Sequence, residues 1–118
     1  LTMEQSALSI SDITQWLNNH ILPSKKTLVF VTNQWALKSV YNALQSYETV
    51  IPKQVGLLGF NNTDWTDLPV KSISTIVEPV YEEGYAACKM LLKRIKDPSL
   101  EPDHKLLTCK LNWLKSTI

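Results

Sequence analysis

Apolar positions fall at helical spacing from Ser9 onward. Ile10, Ile13, Trp16, Leu17 and Ile21 recur near the 3.6-residue period, and Ser9 with Asp12 makes the S-x-x-D pattern of a helix N-terminus. This predicts a helix over about 10–20, closed by Pro23 and Ser24, while residues 1–8 carry little pattern. Thr27-Leu28-Val29-Phe30-Val31 is a continuous β-branched apolar run, the form of a strand covered on both faces of a parallel sheet. A buried strand at 27–31 is expected. Thr32-Asn33-Gln34 breaks the run, and Leu37, Val40, Tyr41 and Leu44 then repeat at i, i+3, i+4 and i+7, predicting a helix over about 35–46.

Ile51-Pro52 turns the chain into a second short strand, Val55 to Phe60, which the polar run Asn61-Asn62-Thr63-Asp64 ends. Ser72 to Val77 reads as a third strand. Pro79 stands where a first-turn proline belongs, ahead of Val80, Gly84, Ala87, Cys88, Leu91, Leu92 and Ile95, which predict a helix over 80–96. A loop at 97–103 follows. Lys105 to Trp113 reads as a last strand, placed at a sheet edge because Lys105, Lys110 and Lys115 guard it. The order αβαββαβ argues an α/β fold, a mainly parallel sheet flanked by helices.

At 118 residues, 44% hydrophobic and 19% charged, the chain is one globular domain or a piece of one, and disordered or disulfide-scaffold classes are excluded. The net charge of +1, with no basic stripe, argues against this segment gripping a phosphate backbone by itself. Cys88 and Cys109 lack C-x-x-C spacing and read as small buried hydrophobes of a reducing compartment, and Trp16 and Trp113 read as core. No stretch approaches the roughly 20 apolar residues of a membrane span. No charged-then-apolar leader opens the chain, so a cytoplasmic location is expected, although a start at Leu1 without Met leaves room for upstream sequence and makes the missing leader weak evidence.

Catalytic and cofactor motifs are sparse. His20 and His104 lie at a helix end and a loop start without metal-ligand spacing, and read as surface or capping residues. No nucleophile elbow or Walker loop is present, and three glycines are too few for a dinucleotide fingerprint. Glu82-Glu83 complement a helix N-terminus. Asp64 and Asp67 flank Trp65 with no sign of the fixed cleft a hydrolytic pair needs. The reading is therefore not an enzyme, with no metal and no cofactor.

What remains is amide chemistry at strand ends. Ligands of such sheets gather at the carboxyl ends of the strands, which points at Asn33 and Asn61. An amide both donates and accepts, which suits sugar hydroxyls. From the residues alone the plainer reading of both is favoured, that of strand-ending turn residues, since Asn tolerates the left-handed region and makes local Asx turns.

Residues 27–96 resemble the effector-binding half of bacterial repressors of the lactose/galactose repressor family. T-L-V-F-V-T-N-Q is similar to that family's strand ending in an A-N-D-type motif. The pattern V-P-x-x-V-x-x-x-G-F-D-D has its counterpart in I-P-K-Q-V-G-L-L-G-F-N-N at 51–62, and S-I-S-T-I-V-E-P at 72–79 resembles L-T-T-V-x-Q-P. Gly84 with Leu91-Leu92 matches G-x-x-A-x-x-x-L-L.

The resemblance implies a partial periplasmic-binding-protein-like lobe that closes on a small molecule and dimerises. It implies a partition into a C-terminal lobe (1–77), a segment packing on the other lobe (78–105) and a returning strand (106–118), with the helix-turn-helix reader of operator DNA absent from this chain. The implied ligand contacts are Asn33, Asn61, Gln34 and Trp65. The implied homodimer contacts are Trp35, Lys38 and Trp65, so Trp65 is either a ligand wall or an interface residue.

Gln34 replaces the family's usual Asp, and Asn61-Asn62 replace Asp-Asp. Removing carboxylates from a desolvated cleft would favour an anionic ligand. With T-D-W after G-F-N-N and Y-E-E-G at 81–84, this resembles the 2-keto-3-deoxygluconate regulator branch, so the expected effector is a sugar or sugar acid. The alternatives are a secreted solute-binding protein of a transporter and an α/β enzyme fragment. By the same resemblance, the apolar stripe of the 80–96 helix lacks its usual sheet and is expected to dock on this chain's own sheet or on a second copy.

Overall fold

A computed structural model describes residues 9–22, 24–46, 51–61 and 72–118. Helix α1 (Ile10–His20) begins at a complete capping box. The Ser9 side chain accepts from the Asp12 N–H, and the Asp12 carboxylate accepts from the Ser9 N–H. The Ser9 hydroxyl, which donates to the same carboxylate at 2.7 Å, and then the Ser9 N–H hold the Asp12 carboxyl below its ordinary value. Strand β1 (Thr27–Val31), helix α2 (Gln34–Ser46), strand β2 (Val55–Phe60), strand β3 (Ser74–Val77), helix α3 (Val80–Lys96) and strand β4 (Lys110–Asn112) follow.

The sheet has the order β1-β2-β3-β4, with β1, β2 and β3 parallel and β4 antiparallel at the edge. The fold is thus the expected α/β arrangement, and the last strand is an edge as its lysines suggested. It is short. Residues 105–109 make no ladder.

One core forms beneath α2. Leu37, Val40, Ala43 and Leu44 of that helix meet Val31 of β1 and Val55 and Leu57 of β2, while Ile13 and Leu17 bring α1 onto the same cluster. Trp16 is partly buried against it. The helix lies close enough to β2 that a Cβ on Gly59 would fall 2.6 Å from Leu37 Cδ2, so glycine is what lets these elements approach.

The C-terminal tail completes the sheet where β3 has not yet begun. Leu57 N–H donates to the Ser116 carbonyl (2.9 Å), and Ser116 N–H donates to the Ser72 carbonyl (3.1 Å). The buried Ser116 hydroxyl donates to the Leu57 carbonyl (2.6 Å) and accepts from the Ser74 N–H (2.8 Å).

Four expectations need correction. Strand β1 is not covered on both faces: its residues alternate, with Leu28 and Phe30 57% and 45% exposed, because α2 packs on one face only. Cys88 and Cys109 are exposed, the first on a helix that meets no other helix or strand among the described residues and the second just before the edge strand. Trp113, 55% exposed beyond that strand, is not core. Helix α3 has the expected span but does not dock on this chain's own sheet.

Among the described residues α3 packs against no other helix or strand. Tyr81, Tyr85, Leu91, Leu92 and Ile95 are all exposed, and a Cβ on Gly84 would meet nothing within 4 Å. Only Ala86 is buried within it. The radius of gyration, 18.5 Å, accordingly exceeds the roughly 13–14 Å of a compact domain this long. The helix holds its shape through local forces, with Glu82 and Glu83 in its first turn and Lys93, Arg94 and Lys96 in its last complementing the dipole.

Two outcomes follow. Ser116→Ala orphans a buried N–H and takes one donor from a carbonyl, and should cost about 1–3 kcal/mol in urea unfolding. Leu92→Ser, by contrast, should shift the unfolding free energy of the 118-residue chain by less than about 0.5 kcal/mol. A loss of about 2 kcal/mol or more would mean that the helix is buried in solution.

Candidate functional site

Parallel pairing of β1 and β2 sets Val31 beside Gly59, so the two strands run out at one rim. There Thr32, Asn33, Gln34, Trp35, Phe60 and Asn61 line a single open cleft of about 410 Å³. Asn33 and Asn61, the two asparagines singled out by their place after apolar strands, are brought together as expected. Gln34, the first residue of α2, lies on the same cleft, as does Trp35, whose indole is 79% exposed. Lys38 is exposed one turn further along α2. Trp65 lies outside the described residues, as do Asp64 and Asp67.

The two asparagines are held in different ways. Asn33 caps α2: its Oδ1 accepts from the Trp35 N–H at 2.9 Å, and its carbonyl accepts from the N–H groups of Ala36 and Leu37. The turn reading and the site reading of Asn33 are therefore compatible, since the cap fixes the amide at the rim.

Asn61 continues the β2–β3 ladder through its N–H to the Ile76 carbonyl (2.7 Å), with φ at 62°, a left-handed backbone that Asn tolerates. Its side chain reaches the link between β3 and α3. Nδ2 donates to Glu78 Oε2 at 2.7 Å, and Oδ1 accepts from the Glu78 N–H at 2.9 Å.

Glu78 was not among the candidate residues drawn from the sequence. Its signal was present in the E-P of 78–79, which stands against the Q-P of the resembling pattern. It also changes the electrostatics. The carboxylate that an Asp at 61 would bring is supplied across the rim by Glu78, so the substitution at Asn61 does not by itself make the cleft attract an anion.

Elsewhere, His20 stacks on Trp16 with ring centroids 4.3 Å apart and its Nδ1 contacts the Trp16 carbonyl at 2.6 Å, the capping place expected of it. Among the described residues no three His, Cys, Asp or Glu side chains gather as metal ligands, and no helix is long and apolar enough to cross a membrane.

With this geometry in hand, the class of protein is defined. Residues 2–117 match the model of the periplasmic binding protein-like domain, and the chain belongs to that family. Its relatives are transcriptional regulators of the lactose repressor type, as the motifs implied. The chain is 27% identical over 95 residues to the HTH-type transcriptional regulator KdgR of Bacillus subtilis (strain 168), covering 80% of this chain and 28% of that one. It is 28% identical over 86 residues to the ribose operon repressor of Escherichia coli (strain K12), covering 73% and 26%. Among solved structures, a LacI family transcriptional regulator from Enterococcus faecalis V583 with bound ribose superposes with a TM-score of 0.74 at 26% identity, covering 96% of this chain and 42% of that one. The chain thus spans little more than a quarter of the length of these curated relatives.

The cap separates stability from recognition at Asn33. Asn33→Ala should cost about 1 kcal/mol in thermal or urea unfolding, whereas Asn33→Ser keeps a capping oxygen and should stay within about 0.5 kcal/mol of wild type. Equal losses would show that the amide's other contacts, not the cap, hold the tip.

Proposed function

We infer that this chain is the effector-sensing and dimerisation part of a sugar- or sugar-acid-responsive transcriptional repressor. The observation that carries this reading is the shared cleft: two strand-tip amides, a glutamine and an indole meet at the carboxyl rim of a parallel sheet. That is where open α/β sheets bind ligands. Relatives named for the ribose operon, and ribose-bound structures of the same fold, support a polyol in that place.

Asn33, Gln34 and Asn61 contact the effector, and Trp65 closes the site as a ligand wall or serves the dimer contact. Trp35, exposed beside the cleft, and Lys38 belong to the homodimer interface. Residues 1–77 form one lobe and 106–118 return to it, while 78–105 pack on the second lobe, whose closure over the effector sets the spacing of two DNA-reading heads on the operator. The leverage is bounded by the effector's difference in affinity for the open and closed states. The protein acts in the cytoplasm, without catalysis and without a cofactor. The effector is a sugar or a sugar acid such as 2-keto-3-deoxygluconate.

Calorimetric titration of the intact protein, carrying both lobes, with D-ribose and with 2-keto-3-deoxygluconate tests this. One of the two should bind, and Asn33→Ser, which keeps the cap, should weaken that binding tenfold or more, about 1.4 kcal/mol. A folded protein that binds neither, or binds with Asn33→Ser at wild-type affinity, would overturn the assignment.

A further inference from the structure

The rim is unevenly charged. The described residues that line the cleft, Thr32 to Trp35 with Phe60 and Asn61, carry no formal charge, and none of them is Lys, Arg or His. A carboxylate adjoins them: Glu78, half-buried, holds its Oε2 2.7 Å from Asn61 Nδ2. The first turn of α3, directly after Glu78 and Pro79, adds Glu82 and Glu83. Lys38 stands one turn along α2 from Gln34, exposed and outside the cleft lining.

The positive end of a helix is where a fold of this kind receives an anion, and α2 begins at this rim. Three of its donors are already spent within the chain. Trp35 N–H donates to Asn33 Oδ1 at 2.9 Å, and the N–H groups of Ala36 and Leu37 donate to the Asn33 carbonyl at 3.1 and 3.2 Å. Asn61 commits its Oδ1 and one amide hydrogen to Glu78 and has a second hydrogen to give. Two hydrogen bonds of ordinary length leave one NH2 group about 120° apart, so an acceptor taking that hydrogen would stand about 5 Å from Glu78 Oε2. A ligand carboxylate there meets a like charge, a repulsion worth roughly tenfold in affinity at a partly wet site. A hydroxyl, carbonyl or ring oxygen takes the same hydrogen without that penalty.

We propose that Glu78 is a specificity-determining residue that turns the cleft toward neutral sugars and away from sugar acids. The proposal rests on the sugar-sensing reading and chooses within it: the effector class is a neutral polyol, and the choice is electrostatic.

Calorimetric titration of the intact protein, carrying both lobes, with D-ribose, D-ribonate and 2-keto-3-deoxygluconate decides it. D-ribose should bind at least tenfold more tightly than either acid. Glu78→Gln keeps an oxygen that accepts from Asn61 Nδ2 and removes the charge, and should narrow that preference at least fivefold. A Glu78 that only shapes the rim would weaken sugar and acid alike and leave their ratio in place. In the wild type, raising the salt from about 0.01 to 0.15 M shortens the screening length from about 30 to 8 Å and should narrow the preference as well, an arm that needs no variant. An acid bound more tightly than D-ribose, or a preference that neither the substitution nor salt moves, would overturn the proposal and leave the sensing reading standing. A folded protein that binds neither D-ribose nor 2-keto-3-deoxygluconate would overturn the sensing reading, and this choice with it.

Discussion

The parallel register of β1 against β2 is the constraint on which the rest depends. It brings Val31 level with Gly59, so the chain leaves both strands at the same height and the next polar residues, Asn33 and Asn61, come out beside one cleft. A slip of one residue would turn the apolar sets of β1 and β2 to the wrong faces. The register is held from below by α2, whose Leu37 sits against the bare backbone of Gly59. Packing thus fixes where the amides stand, and local hydrogen bonds fix how they point: one through a helix cap, the other through Glu78.

The chain also carries apolar surface that its 118 residues do not cover. The outer face of β1 and the stripe along α3 are exposed together, although both were patterned as buried elements. Apolar area left in water forgoes about 25 cal/mol per Å² of burial. Helix α3 forms regardless, because 11 of its 17 residues are good helix formers and its charges suit its dipole.

Helix and strand boundaries were largely legible. The capping box at Ser9 and Asp12, the apolar runs of β1 and β2 and the long 80–96 period are local signals, and each element appears within two residues of its expected ends except the short β4. The placement of Asn33 and Asn61 was legible too, since it follows from strand ends plus parallel pairing. Glu78 was not, because the bond that gives it a role spans 17 residues and depends on the left-handed turn at Asn61. Ser116 hides in the same way: a serine in a polar tail looks solvent-bound until two strands leave it a gap with a carbonyl and an N–H to satisfy.

By itself, then, the order of residues determined the elements, the α/β class and the two amides at strand tips, all of which rest on interactions a few residues long. Tertiary structure alone decided burial: β1 half open, the cysteines and Trp113 exposed, α3 unpacked, and a carboxylate returned to the rim by Glu78. Burial depends on which distant surfaces are present to meet, and periodicity records only that an element has a face to cover, not whether anything covers it.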